Sequence, residues 1–240
     1  MDYEVMMNGN VRIGQMAPDF EAQTTMGLIN LNDYKGKWVV LFSHPGDFTP
    51  VCTTEFIALA QANTYFQKLN TQLIGLSIDS NASHLAWIRD IYLRTGVVIP
   101  FPVIADRSGQ IARKYGMISN DINVAETVRN VFIIDPNGKI RLIMIYPSNV
   151  GRCIPEILRA LQALQVADSN NGATPANWVP CQQIIQTRPN TYSQLEERIE
   201  EIEKNKNGMT WYLSFKNLEN CEKLENNVNL GIPKINGNSL

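Results

Sequence analysis

Lys37-Trp38-Val39-Val40-Leu41-Phe42-Ser43 is the segment that most limits what this chain can become. It is short and almost wholly apolar, with no alternating polar face, so it reads as a strand buried on both sides. Covering both faces of such a strand takes helices packed on a sheet. The residues that follow, His44-Pro45-Gly46-Asp47-Phe48-Thr49-Pro50, cannot extend the strand, because two prolines withhold ladder donors. A helical pattern then opens near Val51 and passes through Phe56, Leu59, Ala60 and Phe66.

The same grammar repeats downstream. Leu73 to Asp79 reads as a second buried strand, and Ser83 to Arg94 as a helix with Leu85, Ile88 and Trp87 facing inward. Pro102 to Ala105 gives a third strand, and Gln110 to Tyr115 a short helix. Val128 to Ile134, the turn Asp135-Pro136-Asn137-Gly138 and Ile140 to Tyr146 spell a hairpin. Ile154 to Leu164 has an amphipathic helical period. Helices alternating with strands and closed by a hairpin predict an α/β fold with a mixed sheet.

The texture changes near Asp168. Residues 168–177 are rich in Asn, Gly, Ser and Pro and read as a linker. Ser193-Gln194-Leu195-Glu196 reads as a capping box for a charged helix ending near Gly208, and from Lys216 onward the chain is polar and rich in Asn. The expected organisation is a main domain over 1–167 and an appended arm over 168–240.

Composition excludes several classes. With 21 basic and 23 acidic residues and no basic stripe, nucleic acid is not an expected partner. No apolar run reaches the ~18 residues of a membrane span, and Met1-Asp2-Tyr3-Glu4 lacks a basic-then-apolar leader, which predicts a cytoplasmic protein. The four cysteines, Cys52, Cys153, Cys181 and Cys221, form no C-x-x-C pair, and only His44 and His84 could add imidazole ligands. Neither a disulfide scaffold nor a metal site is expected, and no cofactor is implied. What matters is which thiol reacts.

Cys52 falls in the first turn of the predicted helix, after a strand and a loop. Free amides and the dipole at a helix N-terminus favour an anion there, and the thiolate is the nucleophile. Thr49, three residues earlier, can place its hydroxyl beside the sulfur, while Pro45 and Pro50 stiffen the approach. Spacing alone leaves two readings open: a reactive thiol, or a buried packing cysteine.

The stretch Phe42-Ser43-His44-Pro45-Gly46-Asp47-Phe48-Thr49-Pro50-Val51-Cys52-Thr53-Thr54-Glu55 resembles the active site of peroxiredoxins and contains their P-x-x-x-[TS]-x-x-C signature. Its His-Pro opening and Pro-Val-Cys-Thr-Thr-Glu ending are similar to the one-cysteine, peroxiredoxin 6 type group, including archaeal and bacterial thiol peroxidases. The likeness runs from Ala17-Pro18-Asp19-Phe20 through Asp106 and Arg129 to Trp178. It implies a thioredoxin-like fold with an arm that joins a dimer, assembling into a decameric ring. It implies an antioxidant enzyme that reduces hydrogen peroxide and organic hydroperoxides through a Cys52 sulfenic acid, recycled by an external thiol, either thioredoxin-like or small. Thr49, Arg129 and the amides at Val51 and Cys52 would hold the peroxide, Glu55 would orient Arg129, and His44 would bond near the oxidised sulfur. His84 carries no role in this pattern and reads as structural or exposed.

The chain departs from the pattern in two places. Ser214 stands where some members carry a resolving cysteine, leaving Cys153, Cys181 and Cys221 as the other thiols. Tyr34-Lys35-Gly36-Lys37-Trp38 lacks the serine of the lipase-like G-x-S-x-G of mammalian members, so no phospholipase activity is expected. A thiol-disulfide oxidoreductase is disfavoured because Glu55 replaces the second cysteine of a C-x-x-C pair. A non-enzymatic redox sensor or holdase is the alternative from another class.

Overall fold

The computed structural model describes residues 11–118 and 126–218. They fall into two compact units, dividing between Ile154 and Pro155. The helix beginning at Ile154, grouped with the main domain in the sequence reading, thus falls almost wholly in the second unit.

The first unit is built on a seven-stranded sheet of β1 (Glu21–Thr24), β2 (Gly27–Asn30), β3 (Trp38–Ser43), β4 (Thr71–Ser77), β5 (Val103–Ala105), β6 (Arg129–Ile134) and β7 (Ile140–Tyr146). The strand order is β2-β1-β5-β4-β3-β6-β7. β3, β4 and β5 are parallel neighbours, whereas β6 and β7 run antiparallel beyond β3 and the β1–β2 hairpin closes the other edge. The sheet is mixed, as the alternating pattern predicts. The β1–β2 hairpin is an element the sequence reading does not resolve.

Helices α1 (Pro50–Lys68) and α2 (Asn81–Thr95) connect the parallel strands. Successive right-handed crossovers in one direction place both on one face, and Phe56 of α1 meets Trp87 of α2 with ring centroids 4.6 Å apart. The short α3 (Gln110–Lys114) packs Ile111 and Ala112 on the opposite face, with Val39, Leu41, Ile74 and Phe132. β3 is therefore buried on both sides throughout. Across from Phe42 in β4 lies Gly75, where an added Cβ would meet Phe42 at 3.3 Å and Phe56 at 3.4 Å. The missing side chain is what lets these two rings approach edge to face, at 5.7 Å.

On α2 the inward face is His84, Trp87 and Ile91, while Leu85 is 45% exposed. The expected inward Leu85 is thus corrected. Ser80 caps the helix by accepting from Ser83 N, and with His84, Trp87 and Ile91 forming the buried stripe Leu85 turns outward.

The second unit holds α4 (Ile154–Ser169), α5 (Tyr192–Asn205) and a four-stranded sheet of β8 (Gly172–Ala173), β9 (Ile184–Gln186), β10 (Gly208–Thr210) and β11 (Leu213–Lys216), ordered β10-β11-β9-β8. Its core is Val166, Trp178 and Ile184. The Asn-Gly segment that reads as a linker is instead a sharp reversal. Asn171 adopts a left-handed φ of 44°, and the next two residues join the sheet. The cap of α5 is Thr191, whose side chain accepts from Gln194 N, rather than Ser193. No described helix is long and apolar enough to cross a membrane.

Candidate active site

The site forms where β3 ends and the loop into α1 begins. The exit is pinned. His44 N donates to Leu76 O, Thr127 Oγ1 donates to His44 O, and Ser43 Oγ donates to Val128 O. Pro45 is buried, and Phe48 is held at a φ of 57°, an uncommon conformation for a residue with a side chain.

Pro50 opens α1 at a position where its missing N–H costs nothing. Thr49 is the N-cap by position but makes no side-chain cap; its hydroxyl donates instead to Gly46 O at 2.8 Å. The amides of Val51 and Cys52 are thus left without an intrahelical partner, and they lie at the positive end of the helix dipole. Cys52 is fully buried in this turn.

Arg129, at the start of β6, reaches it. Its Nη1 donates to Cys52 Sγ at 3.2 Å and to Glu55 Oε2 at 2.8 Å, while Nε and Nη2 donate to Ser148 O. The side chain is 3% exposed. Of the expected site residues, Cys52, Glu55 and Arg129 are brought together, while Thr49 and Val51 lie on the turn that carries Cys52.

Arg152 is a site residue that the sequence reading misses. It donates from its backbone N and Nε to Glu55 Oε1 at 2.8 and 2.9 Å, and from Nη2 to Glu55 Oε2 at 2.7 Å. Its Nη1 donates to Ser43 O and Asn130 O. Burial alone would raise the Glu55 carboxyl, but the adjoining Arg152 charge, aided by Arg129, holds it below its ordinary range. One carboxylate between two buried guanidiniums leaves an excess positive charge beside Cys52 Sγ.

His44 and His84 meet on Asp47. His44 Nε2 lies 3.0 Å from Asp47 Oδ1, and His84 Nδ1 lies 2.9–3.0 Å from both carboxylate oxygens. Of the two sequence readings of His84, structural or exposed, the exposed one is corrected here: His84 is fully buried and hydrogen-bonded within this cluster. A signal is present, since His84 stands at the helical spacing of Trp87 and Ile91. The three side chains bring ligand atoms within 4.8 Å of one another, but hydrogen bonds already join them.

Cys153 is free and exposed, and Cys181 is disulfide-bonded. Cys221 lies outside the described residues. Ser214 is buried, and its Oγ accepts from Arg198 Nη1 at 2.7 Å.

A family model described as the AhpC/TSA family matches residues 13–143, and one described as the C-terminal domain of 1-Cys peroxiredoxin matches residues 163–201. The chain is 54% identical over 208 residues to peroxiredoxin 2 of Caldanaerobacter subterraneus subsp. tengcongensis, covering 85% of this chain and 92% of that protein. It is 51% identical over 203 residues to peroxiredoxin 2 of Picrophilus torridus, covering 85% and 98%. Among solved structures, peroxiredoxin 6 of Arenicola marina superposes with a TM-score of 0.77 at 34% identity, covering 88% of this chain and all of that one. A yeast mitochondrial 1-Cys peroxiredoxin superposes with a TM-score of 0.76 at 43% identity, covering 87% and all of that chain. These likenesses carry the thioredoxin-like fold expected from the sequence.

Proposed function

The chain belongs to the peroxiredoxin family and is a thiol-dependent peroxidase, and from that premise we propose that Cys52 is its peroxidatic cysteine. The observation that carries the assignment is the Arg129 Nη1 to Cys52 Sγ contact at 3.2 Å, made at a helix N-terminus whose amides are uncapped.

In this reading the thiolate of Cys52 attacks one oxygen of the peroxide. The S–O bond forms as the O–O bond breaks, giving a sulfenic acid at Cys52 and releasing water or an alcohol once the leaving oxygen takes a proton. Four of the N–H bonds of Arg129 are engaged by Ser148, Glu55 and Cys52, and among the described residues one on Nη2 has no acceptor. That hydrogen and the amides of Val51 and Cys52 stabilise charge developing on the departing oxygen. The proton of the Thr49 hydroxyl is committed to Gly46, so toward substrate Thr49 acts through its lone pairs and accepts the peroxide O–H. Glu55, locked by Arg152, keeps Arg129 in place, and Pro45 helps exclude water.

Two thiols of an external reductant close the cycle. The first displaces water from the sulfenic acid to form a mixed disulfide, and the second releases the Cys52 thiol. The solved yeast relative is described with glutathione and thioredoxin systems, which supports an external thiol, small or thioredoxin-like, here too. We further propose a cytoplasmic location, a C-terminal arm over 168–240 that serves dimerisation, and a decameric ring of dimers. Hydrogen peroxide and organic hydroperoxides are the proposed substrates.

Cys52→Ser tests the central assignment. Turnover with peroxide and dithiothreitol should disappear while circular dichroism stays native. Retention of about a tenth of the activity, far more than loss of the nucleophile permits, would move the chemistry elsewhere.

A further inference from the structure

We infer that His84 is a positioning residue: paired as an imidazolium with Asp47, it fixes His44 in the tautomer whose Nδ1 is a bare acceptor. The inference rests on the peroxidatic reading of Cys52 and assigns a task to His84 and Asp47, which that reading leaves unused.

Both nitrogens of His84 face acceptors. Nε2 lies 3.1 Å from the carbonyl oxygen of Ile104, and Nδ1 lies 2.9 and 3.0 Å from the two oxygens of Asp47. A carbonyl can only accept, and so can a carboxylate, so each nitrogen carries a proton. Asp47 is ionised. Burial would raise its carboxyl, but hydrogen bonds from His44 and then His84 hold it well below the carboxylate range. The pair is a buried cation and anion with side-chain exposures of 0% and 1%.

Asp47 Oδ1 also faces His44 Nε2 at 3.0 Å, which places the His44 proton on Nε2. Burial disfavours a second proton on this ring and the nearby His84 and Arg152 charges add to that, so His44 is neutral. Its Nδ1 is then a lone pair, buried and without a hydrogen-bond partner among the described residues. An unpaired buried acceptor is destabilising. The cost is offset if a donor arrives during the reaction. The ring packs against Phe56 at 4.8 Å, and Phe56 lies one helical turn after Cys52 on the same face of α1. The O–H of a Cys52 sulfenic acid is a donor generated on that face.

Removing the His84 charge leaves Asp47 as a buried anion with one neutral partner. Either Asp47 takes up a proton and donates it to His44 Nε2, which moves the His44 hydrogen to Nδ1, or His44 becomes doubly protonated. Both outcomes place a hydrogen on Nδ1 and remove the acceptor.

The full chain contains only His44 and His84, so two-bond proton–nitrogen spectra of ¹⁵N-histidine-labelled protein report both rings. In the reduced wild type, one ring should be protonated on both nitrogens and the other on Nε2 alone, and one equivalent of peroxide should shift that second ring's Nδ1. In His84→Gln, the remaining histidine should carry a hydrogen on Nδ1 before peroxide is added. The sulfenic acid, followed by mass spectrometry, should be lost about tenfold faster, the equivalent of one hydrogen bond. Its rate of formation should change little, because Arg129 and Thr49 are untouched. A neutral His84 in the wild type, or an unprotonated Nδ1 in the variant, overturns the inference. The wild-type spectrum decides the first point even if the variant fails to fold. Because the tautomer is read without peroxide, failure of Cys52 to oxidise would count against the peroxidatic assignment instead.

Discussion

Replacing Glu55 with glutamine keeps the shape of the side chain and removes one charge, which isolates the electrostatic term. The carboxylate accepts from Arg152 N and Nε on one oxygen, and from Arg152 Nη2 and Arg129 Nη1 on the other. The glutamine oxygen preserves the first pair, but its NH₂ then faces two guanidinium donors. Two charge-assisted hydrogen bonds are lost at about 1.5–3 kcal/mol each. That agrees with about 3–5 kcal/mol for breaking a buried ion pair. Glu55→Gln should therefore lose about 3–5 kcal/mol in urea unfolding followed by tryptophan fluorescence at neutral pH. The folded-state carboxyl is held below its ordinary range. Its contribution is thus full above the unfolded value of about 4.3 and fades as pH falls through the lower folded one. The gap between wild type and variant should narrow on the acid side. A difference below about 1 kcal/mol at neutral pH, or one that stays constant down to about pH 3, would refute the reasoning.

Arg129→Ala should slow Cys52 oxidation by about 10²–10³-fold in stopped-flow measurements, the typical loss for one preorganised donor; a near-normal rate removes it from the site. Thr49→Val should slow the same step, whereas Thr49→Ser should remain close to wild type because the hydroxyl is kept, and equal effects would deny the hydroxyl a role. Gly75→Ala forces a methyl against Phe42 and Phe56 and should cost about 1–3 kcal/mol in unfolding experiments. Unchanged stability there would mean the two rings can move apart.

The residues legible in the sequence are those whose environment is local. β3 and the first turn of α1 are readable because an apolar run, two prolines and a cysteine lie within fourteen residues of one another. Arg152 is not, because the partner that buries it, Glu55, is 97 positions away and nothing beside it in sequence marks it as internal. The burial of His84 is legible in its helical spacing to Trp87 and Ile91, but its partners are not. Its hydrogen bonds go to Asp47 and Ile104, on two other segments, and only the fold joins the three. In the second unit, Asn and Gly at 170–172 read as a linker because a left-handed helix stop and a loop have the same composition. What separates them is the pairing of Gly172 and Ala173 with β9, a tertiary fact.

Recycling is the step on which the cysteine inventory bears directly. The position expected for a resolving thiol is Ser214, and its hydroxyl is occupied by Arg198 in a buried setting. A serine there cannot form a disulfide. Cys181 is already disulfide-bonded, and a sulfur in that state is not a thiol available to condense with a sulfenic acid. Cys153 is a free thiol, but it is exposed, whereas Cys52 is fully buried. A small external thiol has no chain to fold back and reaches Cys52 by diffusion. These facts favour a one-cysteine cycle. Replacing Cys153, Cys181 and Cys221 together with serine should leave peroxide turnover with dithiothreitol within about twofold of wild type, since the nucleophile and its activating groups remain. Cys153→Ser alone serves as a companion variant if loss of the Cys181 disulfide weakens the fold. Oxidation of Cys52 that stays fast while turnover collapses would show that one of the three resolves the sulfenic acid. Restoring each cysteine singly would then identify it, beginning with Cys153, which is free.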